Sequence, residues 1–483
     1  MIDIFAFNGF SVGVFGLGRT GISVAEALKR SNAEVWAWDD DPSIRKSAME
    51  RGINVVDLYN KDLSELTTLV LSPGIAHTFP KPHAIVSIAK EKNIEIISDI
   101  ELLGRSQRLA NMVGITGTNG KSTTTSLIGH IMQLSGQQVE VGGNLGPPVL
   151  DLEGLGDGGT YVIEMSSYQL ELTLSITFDV AVLLNISPEH LDRHGSIEGY
   201  VTAKKSIFHR QTKPRSAVIA IDDHYTKKIY SELSKIGDQL IIPVSGESEV
   251  VGGVYVLDRI LIDDSDGKKV PVCDLSEIPS LAGTHNAQNA AASYAACKAV
   301  GIEPRVIMAC LRSYPGLAHR QEVFEVVDGI IFINDSKATN SEAAARALAC
   351  YENIFWIVGG RPKKSGLDEC EQYFSHVQQA YLIGEASLGL SQLLNGKIKF
   401  TISGDIKSAI LQAISDIAER KVSQPVVLLS PACASFDQFS NFEDRGDYFK
   451  SLVEELPGKH QDPFEEPGLV PSLNNKVYKG APN

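Results

Sequence analysis

The chain has 483 residues, which is too many for one ordinary hydrophobic core and predicts about three domains. Hydrophobic residues make up 43% of the chain and charged residues 21%, as is typical of a soluble globular protein. The formal net charge of −15 argues against a nucleic-acid partner, because phosphate backbones require a basic protein surface.

The cysteines and the apolar runs indicate the cellular compartment. None of the six cysteines forms a Cys-x-x-Cys pair, so the sequence predicts reduced thiols rather than a zinc site or a redox motif. No basic residue precedes Arg19, and no uncharged apolar run approaches the roughly 18–20 residues that a membrane-spanning helix needs. We therefore expect a cytoplasmic protein without a signal peptide or a membrane segment.

Residues 1–104 are predicted to form a small α/β domain. The run SVGVF is typical of a buried strand, GLGRTG leads into a helix, and AEVWAWDDD is typical of the next strand, which together make a βαβ unit. Gly16, Gly18 and Gly21 stand in G-x-G-x-x-G order, and Asp39 ends the second strand, near the position of a ribose-binding acid. A pyrophosphate site at a helix N-terminus and a tight turn that needs glycine for packing explain this pattern equally well.

Residues 105–315 are predicted to form a second α/β domain. Its buried strands alternate with loops and helices, which predicts a parallel sheet with ligands at the carboxyl ends of the strands. The loop GTNGKST follows an apolar strand and precedes a helix, and Gly117 and Gly120 allow its backbone N–H groups to surround phosphates. Lys121 can reach the terminal phosphates and Ser122 can reach Mg²⁺. We therefore predict a site for a nucleoside triphosphate here.

Three further residues of this domain each allow a functional and a structural interpretation. Glu164 can coordinate Mg²⁺ beside the phosphate loop, or it can merely flank the capping box formed by Ser166 and Gln169. His190, in NISPEHLD, is a candidate metal ligand, although a lone histidine in a loop is more often structural. Lys204 lies in the predicted helix YVTAKKSIF, where its spacing alone does not distinguish it from a solvated charge.

Two asparagines lie in the alanine-rich segment GTHNAQNAAA that is predicted to be helical. Asn286 and Asn289 are one helical turn apart, so their amides can contact a purine edge or a ribose. An N-terminal capping arrangement is equally plausible from the sequence alone.

Residues 316–456 are predicted to form a third domain, again an α/β sheet. Arg320 follows the predicted linker, and Asp335, Lys337 and Thr339 lie in a strand-to-helix loop that can receive a carboxylate or a phosphate. The alternative is that this loop is a capped helix start at Asp335 or at the next residue, Ser336. The tail 457–483 is rich in Pro, Gly and Asn and is predicted to be a loose extension.

The order of these motifs resembles that of the Mur ligase family, ATP-dependent enzymes that form amide bonds in peptidoglycan synthesis. The stretches that carry the resemblance are GTNGKST, EMSSYQL, NISPEHLD, YVTAKKSIF, GTHNAQNAAA, GLAHRQE and NDSKATN. The resemblance covers nearly everything except the tail. It implies a Rossmann-like N-terminal domain, a central P-loop-type ATPase domain with a parallel sheet, and a Rossmann-like C-terminal domain. Three more stretches, LSPGI, INDSKATN and LLSPACASFDQFSNFEDRG, are similar to the members that add D-glutamate.

The resemblance implies substrates, cofactors and site residues. It implies ATP, UDP-N-acetylmuramoyl-L-alanine and D-glutamate as substrates, two Mg²⁺ ions, a carbamylated Lys204, and a monomer without nucleic-acid or membrane partners. The implied ATP-binding residues are Gly117, Thr118, Asn119, Gly120, Lys121, Ser122, Thr123, Asn286, Asn289, Arg320 and Asp335. Those implied for the UDP substrate are Gly18, Arg19, Thr20, Asp39, Ser72, Asn144, Ser166 and Gln169, and those for D-glutamate are Lys337, Thr339, Lys364, Ser435 and Phe442. The implied metal ligands are Ser122, Glu164 and His190, and the implied catalytic residues are Lys121, His190 and Lys204.

Other interpretations of the sequence predict different behaviour. Folylpolyglutamate synthase or another Mur ligase would differ in the amino acid used. An NAD(P)-binding oxidoreductase built on GLGRTG would bind NAD tightly and would leave the lysine loop unexplained. A non-catalytic nucleotide-binding scaffold would tolerate the loss of Lys121.

Overall fold

The computed structural model describes residues 1–281, 283–362 and 366–463. Two compact units make up the chain, the first from residues 1–273 and 284–311 and the second from residues 274–283 and the residues that follow 311. In the described ranges, parallel-dominated sheets carry helices between their strands, which confirms the predicted α/β class. The domain limits near residues 104 and 315 stay predictions.

The first sheet occupies the N-terminal part of the first unit. Its elements are β1 (Ser11–Phe15), α1 (Arg19–Arg30), β2 (Glu34–Trp38), α2 (Pro42–Glu50), β3 (Leu66–Leu71), α3 (Ala84–Glu91), β4 (Glu95–Ile97) and α4 (Asp99–Ser106). The strands are parallel in the order β2-β1-β3-β4. β1 is central and buried on both faces, which explains its nearly continuous apolar sequence. The carboxyl ends of β1, β2 and β3 therefore meet at one edge.

The second sheet completes the first unit. Its elements are β5 (Asn111–Thr116), α5 (Lys121–Leu134), β6 (Val139–Gly143), β7 (Thr160–Glu164), α6 (Ser167–Glu171), β8 (Val180–Leu183), α7 (Leu191–His194), α8 (Ile197–Lys205), β9 (Ser216–Ala220), α9 (His224–Ile236), β10 (Leu240–Ser245), β11 (Val254–Leu257), β12 (Ile260–Asp263), β13 (Val270–Asp274), α10 (Thr284–Ala299) and α11 (Pro304–Arg312). The strand order is β13-β12-β11-β10-β9-β8-β5-β7-β6. Pairing is parallel from β6 to β11 and antiparallel between β11 and β12. The loops after β5, β7 and β8 consequently lie side by side.

The third sheet forms the second unit. Its elements are β14 (Glu322–Val327), β15 (Ile330–Asn334), α12 (Ser341–Cys350), β16 (Ile354–Gly359), β17 (Val377–Ile383), α13 (Ser387–Leu394), β18 (Phe400–Gly404), α14 (Ile406–Arg420), β19 (Val426–Leu429), α15 (Phe442–Glu454) and β20 (His460–Gln461). The order is β18-β17-β16-β19-β15-β14-β20. Alternate residues of β16 enter two apolar cores, Trp356 on one face and Phe355 on the other. β20 pairs with β14, so the sheet reaches into the segment predicted as a loose tail, whose residues 464–483 lie outside the described ranges.

Two helix starts test the caps that the sequence suggests. Ser166 and Gln169 form the predicted capping box at the start of α6. The start of α12 differs from the prediction, because its cap is Asn340, whose side chain accepts a hydrogen bond from Ala343 N. The alternative of a helix capped by Asp335 or Ser336 is therefore wrong. The loop between β15 and α12 is longer than it would be if the helix began directly after one of these two residues.

None of the described helices combines the length and the apolar character needed to cross a membrane.

Candidate active site

The loop between β5 and α5 has the shape that the sequence GTNGKST predicts. Gly120 has a positive φ of 82°, and a Cβ at this position would lie 2.2 Å from Asn289 Oδ1. A Cβ at Gly117 would lie 2.9 Å from the Cβ of Leu184. Both glycines are therefore required by backbone conformation and close packing.

The N–H groups of this loop divide into two sets. The N–H groups of Thr118 and Asn119 donate to the backbone oxygen and to Oδ1 of Asn185, each at 2.8 Å. These two hydrogen bonds hold the loop against Asn185, which follows β8. The N–H groups in the first turn of α5 have no acceptor inside the helix, and a helix N-terminus favours negative charge. A phosphate is therefore best placed at residues 121–123, at the N-terminus of α5.

Two lysines converge on one carbonyl of the loop. Lys121 Nζ donates to the backbone oxygens of Gly117 and Thr118, both at 2.9 Å. Lys204 Nζ donates to the same Gly117 oxygen at 2.8 Å and is only 1% exposed. Burial lowers the pKa of Lys204 well below its ordinary value, and the charge of Lys121 lowers it further. The spacing of Lys204 in the sequence does not distinguish it from a solvated charge, and the burial of its side chain excludes that alternative.

Glu164 ends β7 as a buried carboxylate that is only half satisfied. Its Oε1 accepts a hydrogen bond from Asn144 Nδ2 at 2.7 Å, whereas Oε2 is buried and has no hydrogen-bond partner among the described residues. An unpaired buried carboxylate oxygen is costly, and a hard divalent cation satisfies it. Glu164 therefore fits a Mg²⁺ ligand. The side chain of Asn144, predicted to bind the UDP substrate, orients this carboxylate.

His190 lies in the loop after β8 with its side chain nearly half exposed. Its φ is 55°, a left-handed conformation that is uncommon for a residue with a side chain. The ring centroid lies 5.3 Å from that of Tyr168. An accessible imidazole in a conformation that the local structure must hold is compatible with a metal ligand.

A second histidine of this loop was missed by the sequence analysis. The buried ring of His194 has Nε2 2.9 Å from Ser167 Oγ and Nδ1 3.1 Å from Glu171 Oε1. It also stacks on Tyr168, with centroids 5.4 Å apart and an interplanar angle of 13°. Because Tyr168 contacts His190 as well, His194 supports the candidate ligand indirectly. The only signal in the sequence was its position four residues after His190.

A chain of amides behind the phosphate loop was also missed. Asp222 Oδ2 accepts from Gln288 Nε2 at 2.5 Å, and Gln288 Oε1 accepts from Asn185 Nδ2 at 2.8 Å. A carboxylate only accepts, so it fixes which end of each amide donates. The orientation of Asn185 Oδ1 toward Asn119 N follows from this chain.

The two predicted asparagines of α10 lie together against α5. Asn289 Oδ1 accepts from Thr124 Oγ1 at 3.3 Å, and Asn289 Nδ2 donates to Asn286 Oδ1 at 3.0 Å. Asn289 is 2% exposed, so it supports the phosphate loop from behind. Contact of either amide with the nucleoside stays a prediction.

At the edge of the first sheet, the predicted substrate-binding residues hold the glycine turn itself. Asp39 Oδ2 accepts from Leu17 N at 2.7 Å, and Ser72 Oγ donates to Gly16 O at 2.7 Å. A Cβ at Gly21 would lie 1.8 Å from Gly16 O, so this glycine is needed for packing. Gly18, at the cap of α1, has open space around it.

In the second unit, Asp335 and Arg320 belong to one strained corner. Asp335 Oδ1 accepts from Gln321 N at 3.1 Å and Oδ2 accepts from Ser430 Oγ at 2.7 Å. Burial raises the pKa of Asp335 to about 7. His319 and Gln321, on either side of Arg320, have positive φ values of 61° and 46°. Such backbone strain is typical of functional loops.

The predicted amino-acid-binding residues lie in the loops of the third sheet. Lys337 Nζ is 5.6 Å from the ring centroid of Phe442, so the structure brings these two residues together. Ser435 is buried, and its backbone oxygen accepts from Phe439 N at 2.9 Å. Thr339 is partly exposed in the loop before α12. Lys364 lies outside the described residues.

Known proteins resemble this chain over nearly its whole length. The model of the Mur ligase middle domain matches residues 115–297. The chain is 45% identical over 461 residues to the UDP-N-acetylmuramoylalanine–D-glutamate ligase of Rhodospirillum rubrum, covering 94% of this chain and 97% of the relative. It is 46% identical over 462 residues to the ligase of the same name from Caulobacter sp. strain K31, covering 94% and 98%.

Solved structures of lower identity share the fold. The UDP-N-acetylmuramate-alanine ligase of Thermotoga maritima is 17% identical with a TM-score of 0.54, covering 92% of this chain and 99% of that one. The UDP-N-acetylmuramoylalanyl-D-glutamyl-2,6-diaminopimelate–D-alanyl-D-alanyl ligase of Acinetobacter baumannii is 18% identical with a TM-score of 0.52, covering 81% and 85%. Because the identity to the first two relatives is high and extends over nearly their whole length, the chain belongs to the UDP-N-acetylmuramoylalanine–D-glutamate ligases of the Mur ligase family.

Proposed function

We propose that this protein joins D-glutamate to UDP-N-acetylmuramoyl-L-alanine at the expense of ATP, in the synthesis of peptidoglycan precursors. The observation that carries the proposal is the identity of 45–46% over almost the full length of ligases named for this reaction. The phosphate loop with its two lysines supports the use of a nucleoside triphosphate. We expect the enzyme to act as a cytoplasmic monomer on small-molecule substrates.

The reaction requires activation of a carboxylate, because oxide is a poor leaving group. Attack of the substrate carboxylate on the γ-phosphorus of ATP breaks the bond to ADP and forms an acyl phosphate. The amine of D-glutamate then adds to the acyl carbon, and loss of phosphate and a proton leaves the amide. Such phosphoryl transfer depends mainly on positioning and on neutralising charge.

The residues of the phosphate loop provide both effects. The first turn of α5 orients the phosphates, and Lys121 exchanges its two carbonyl acceptors for the terminal phosphates when ATP binds. Ser122, Glu164 and His190 would hold Mg²⁺, which Mur ligases use together with ATP; the unpaired oxygen of Glu164 supports this assignment. When bound, Mg²⁺ supplies neutralisation of the phosphate oxygens. The presence of two ions is a proposal that rests on the family resemblance.

Carbamylation of Lys204 is supported by its environment. The neutral amine is the form that adds to CO₂, and the lowered pKa of Lys204 favours that form. The addition forms an N–C bond and releases one proton, so that a buried amine becomes an anionic carbamate. An anion at this point balances the charge of Lys121 and can help to hold a divalent cation.

Phosphate release with a panel of amino acids tests the proposed function. We expect release that requires ATP, UDP-N-acetylmuramoyl-L-alanine and D-glutamate together. Release with L-alanine or diaminopimelate in place of D-glutamate would assign the chain to a different ligase. The acyl phosphate is tested separately with a substrate labelled with ¹⁸O in its carboxylate, which must transfer heavy oxygen to the released phosphate.

A further inference from the structure

The second unit contains a buried cation that the sequence analysis did not single out. Arg445, in α15, is only 1% exposed and is among the largest fully buried side chains of the described residues. Its Nε donates to Ser336 Oγ at 2.9 Å, its Nη2 to Ser336 O at 2.8 Å, and its Nη1 to Cys433 O at 3.1 Å. All three acceptors are uncharged.

No carboxylate within the described residues forms an ion pair with this guanidinium. Asp335 and Asp437 attract Arg445 only from beyond the distance of an ion pair. Asp335 is itself buried and hydrogen-bonded to Ser430 and to Gln321 N. A buried charge without a counter-charge is unfavourable, so a fold keeps one only where other interactions compensate or where an anion arrives.

The position of Arg445 connects the three described segments that carry predicted amino-acid-binding residues. Ser336 immediately precedes Lys337, and Cys433 lies two residues before Ser435. Ser336 Oγ also donates to the backbone oxygen of Phe442 at 2.8 Å, so a single hydroxyl links Arg445 to the start of α15. The guanidinium therefore lies behind the loops to which we assign the acidic amino acid.

We propose that Arg445 is a specificity-determining and positioning residue whose unpaired charge selects an amino acid with an additional carboxylate. This inference rests on the proposed function, because it assigns the amino-acid site to these loops. The guanidinium does not touch the substrate. Its hydrogen bonds hold the three segments in fixed positions relative to one another. Its positive charge, which the surrounding protein screens only weakly, favours binding of the anionic substrate over neutral amino acids.

A matched pair of substitutions at Ser336 tests the charge without removing Arg445. Ser336→Asp places a carboxylate next to the guanidinium, whereas Ser336→Asn adds a side chain of nearly the same size without charge. Only the amide can replace the hydrogen bond that Ser336 donates to Phe442 O, so the two variants are compared at equal melting temperatures. We expect the KM for D-glutamate to be at least about tenfold higher in S336D than in S336N. The KM values for ATP and for UDP-N-acetylmuramoyl-L-alanine should differ between the two variants by less than about twofold.

Substitutions of Arg445 itself provide a second measurement. Arg445→Lys keeps the charge and Arg445→Gln removes it, so R445Q should raise the KM for D-glutamate more than R445K, at comparable melting temperatures. Equal KM values in S336D and S336N, or KM values for all three substrates that rise together, would show that Arg445 has only a structural role. A wild-type enzyme that does not use D-glutamate would instead contradict the proposed function, so the two failures are distinguishable.

Discussion

Each of the two compact units buries a basic side chain against neutral acceptors, and burial has a different chemical consequence for each of them. Lys204 in the first unit donates to Gly117 O, and Arg445 in the second donates to Ser336 O and Cys433 O; each is 1% exposed. Burial lowers both pKa values, that of Arg445 only to about 10 and that of Lys204 well below its ordinary value. The same desolvation thus favours a neutral, nucleophilic amine in lysine and leaves a permanent charge in arginine.

This comparison explains why the two units need different side chains. In the proposed function, phosphoryl transfer benefits from an amine at Lys204 that can become an anion, because Lys121 already supplies positive charge 2.9 Å from the shared carbonyl. The amino-acid site that we propose for the second unit would benefit from a charge that does not titrate. Exchanging the two residue types should therefore damage each unit for a different reason.

The largest effect is expected when the charge that depresses the pKa of Lys204 is removed. Lys121→Ala removes the cation that neutralises the terminal phosphates and also raises the pKa of Lys204. We expect kcat/KM to fall by about a thousandfold or more, measured by phosphate release. The control is Lys205→Ala, because Lys205 pairs with Glu232 on the surface. Full activity of K121A would show that Lys121 is not needed for phosphoryl transfer, whereas a wild type that releases no phosphate would indicate a nucleotide-binding scaffold.

Replacing the buried lysine by the other kind of cation tests the comparison directly. Lys204→Arg places a group that cannot form a carbamate beside Gly117 O, and we expect kcat to fall by about a hundredfold or more. The wild-type enzyme in ¹³C-bicarbonate should show a carbamate carbonyl signal in its NMR spectrum that K204R lacks and the control Lys205→Arg retains. A fully active K204R without the signal would disprove the role of the carbamate.

Glu164 tests whether the unpaired oxygen beside these lysines serves a cation. Glu164→Gln keeps an oxygen for Asn144 Nδ2 but removes the charge, so the Mg²⁺ concentration for half-maximal activity should rise by about tenfold. Thermal stability should be unchanged or higher, because an unpaired buried carboxylate is removed. A variant with an unaltered Mg²⁺ requirement would show that Glu164 is only a structural residue at the end of β7.

The sequence predicted the elements far better than the environments of their residues. The glycines and Lys121 of the phosphate loop could be predicted because their conformations depend on nearby residues. The glycines allow the positive φ of the loop, and Lys121 begins the helix and contacts carbonyls of the same loop. The capping box at Ser166 was predicted for the same reason and is confirmed.

Long-range contacts explain what the sequence did not reveal. Lys204 resembled a solvated helical lysine, because its burial depends on β5, which precedes it by 88 residues. Arg445 was passed over within the charged run FEDRGDYF, because its acceptors lie 12 and 109 residues away. Asp335 was considered a possible helix cap, whereas the structure uses its oxygens for Gln321 N and Ser430 Oγ.

The smallest effect concerns the acid that shares the second unit with Arg445. The pKa of Asp335 is raised by burial to about 7, so the folded state holds its proton more tightly than the unfolded state, whose pKa is that of an ordinary aspartate. The contribution of Asp335 to stability is therefore complete at low pH and decreases as the pH rises toward 7. Asp335→Asn imitates the protonated carboxyl, with one acceptor and one donor, and removes this dependence.

Between about pH 6 and about pH 7.5, we expect the unfolding free energy of the wild type to fall by about 1 kcal/mol relative to that of D335N. Urea denaturation followed by fluorescence measures this difference in a background in which Trp36 and Trp38 of the first unit are replaced by phenylalanine, because the remaining Trp356 is buried in the sheet whose strand β15 leads to Asp335. Glu443→Gln, at an exposed position in α15, is the control and should show no such shift. A difference that stays constant between about pH 6 and about pH 7.5 would mean that Asp335 is already ionised in the folded state at about pH 6, and Arg445 would then have a counter-charge nearby that the described contacts do not show.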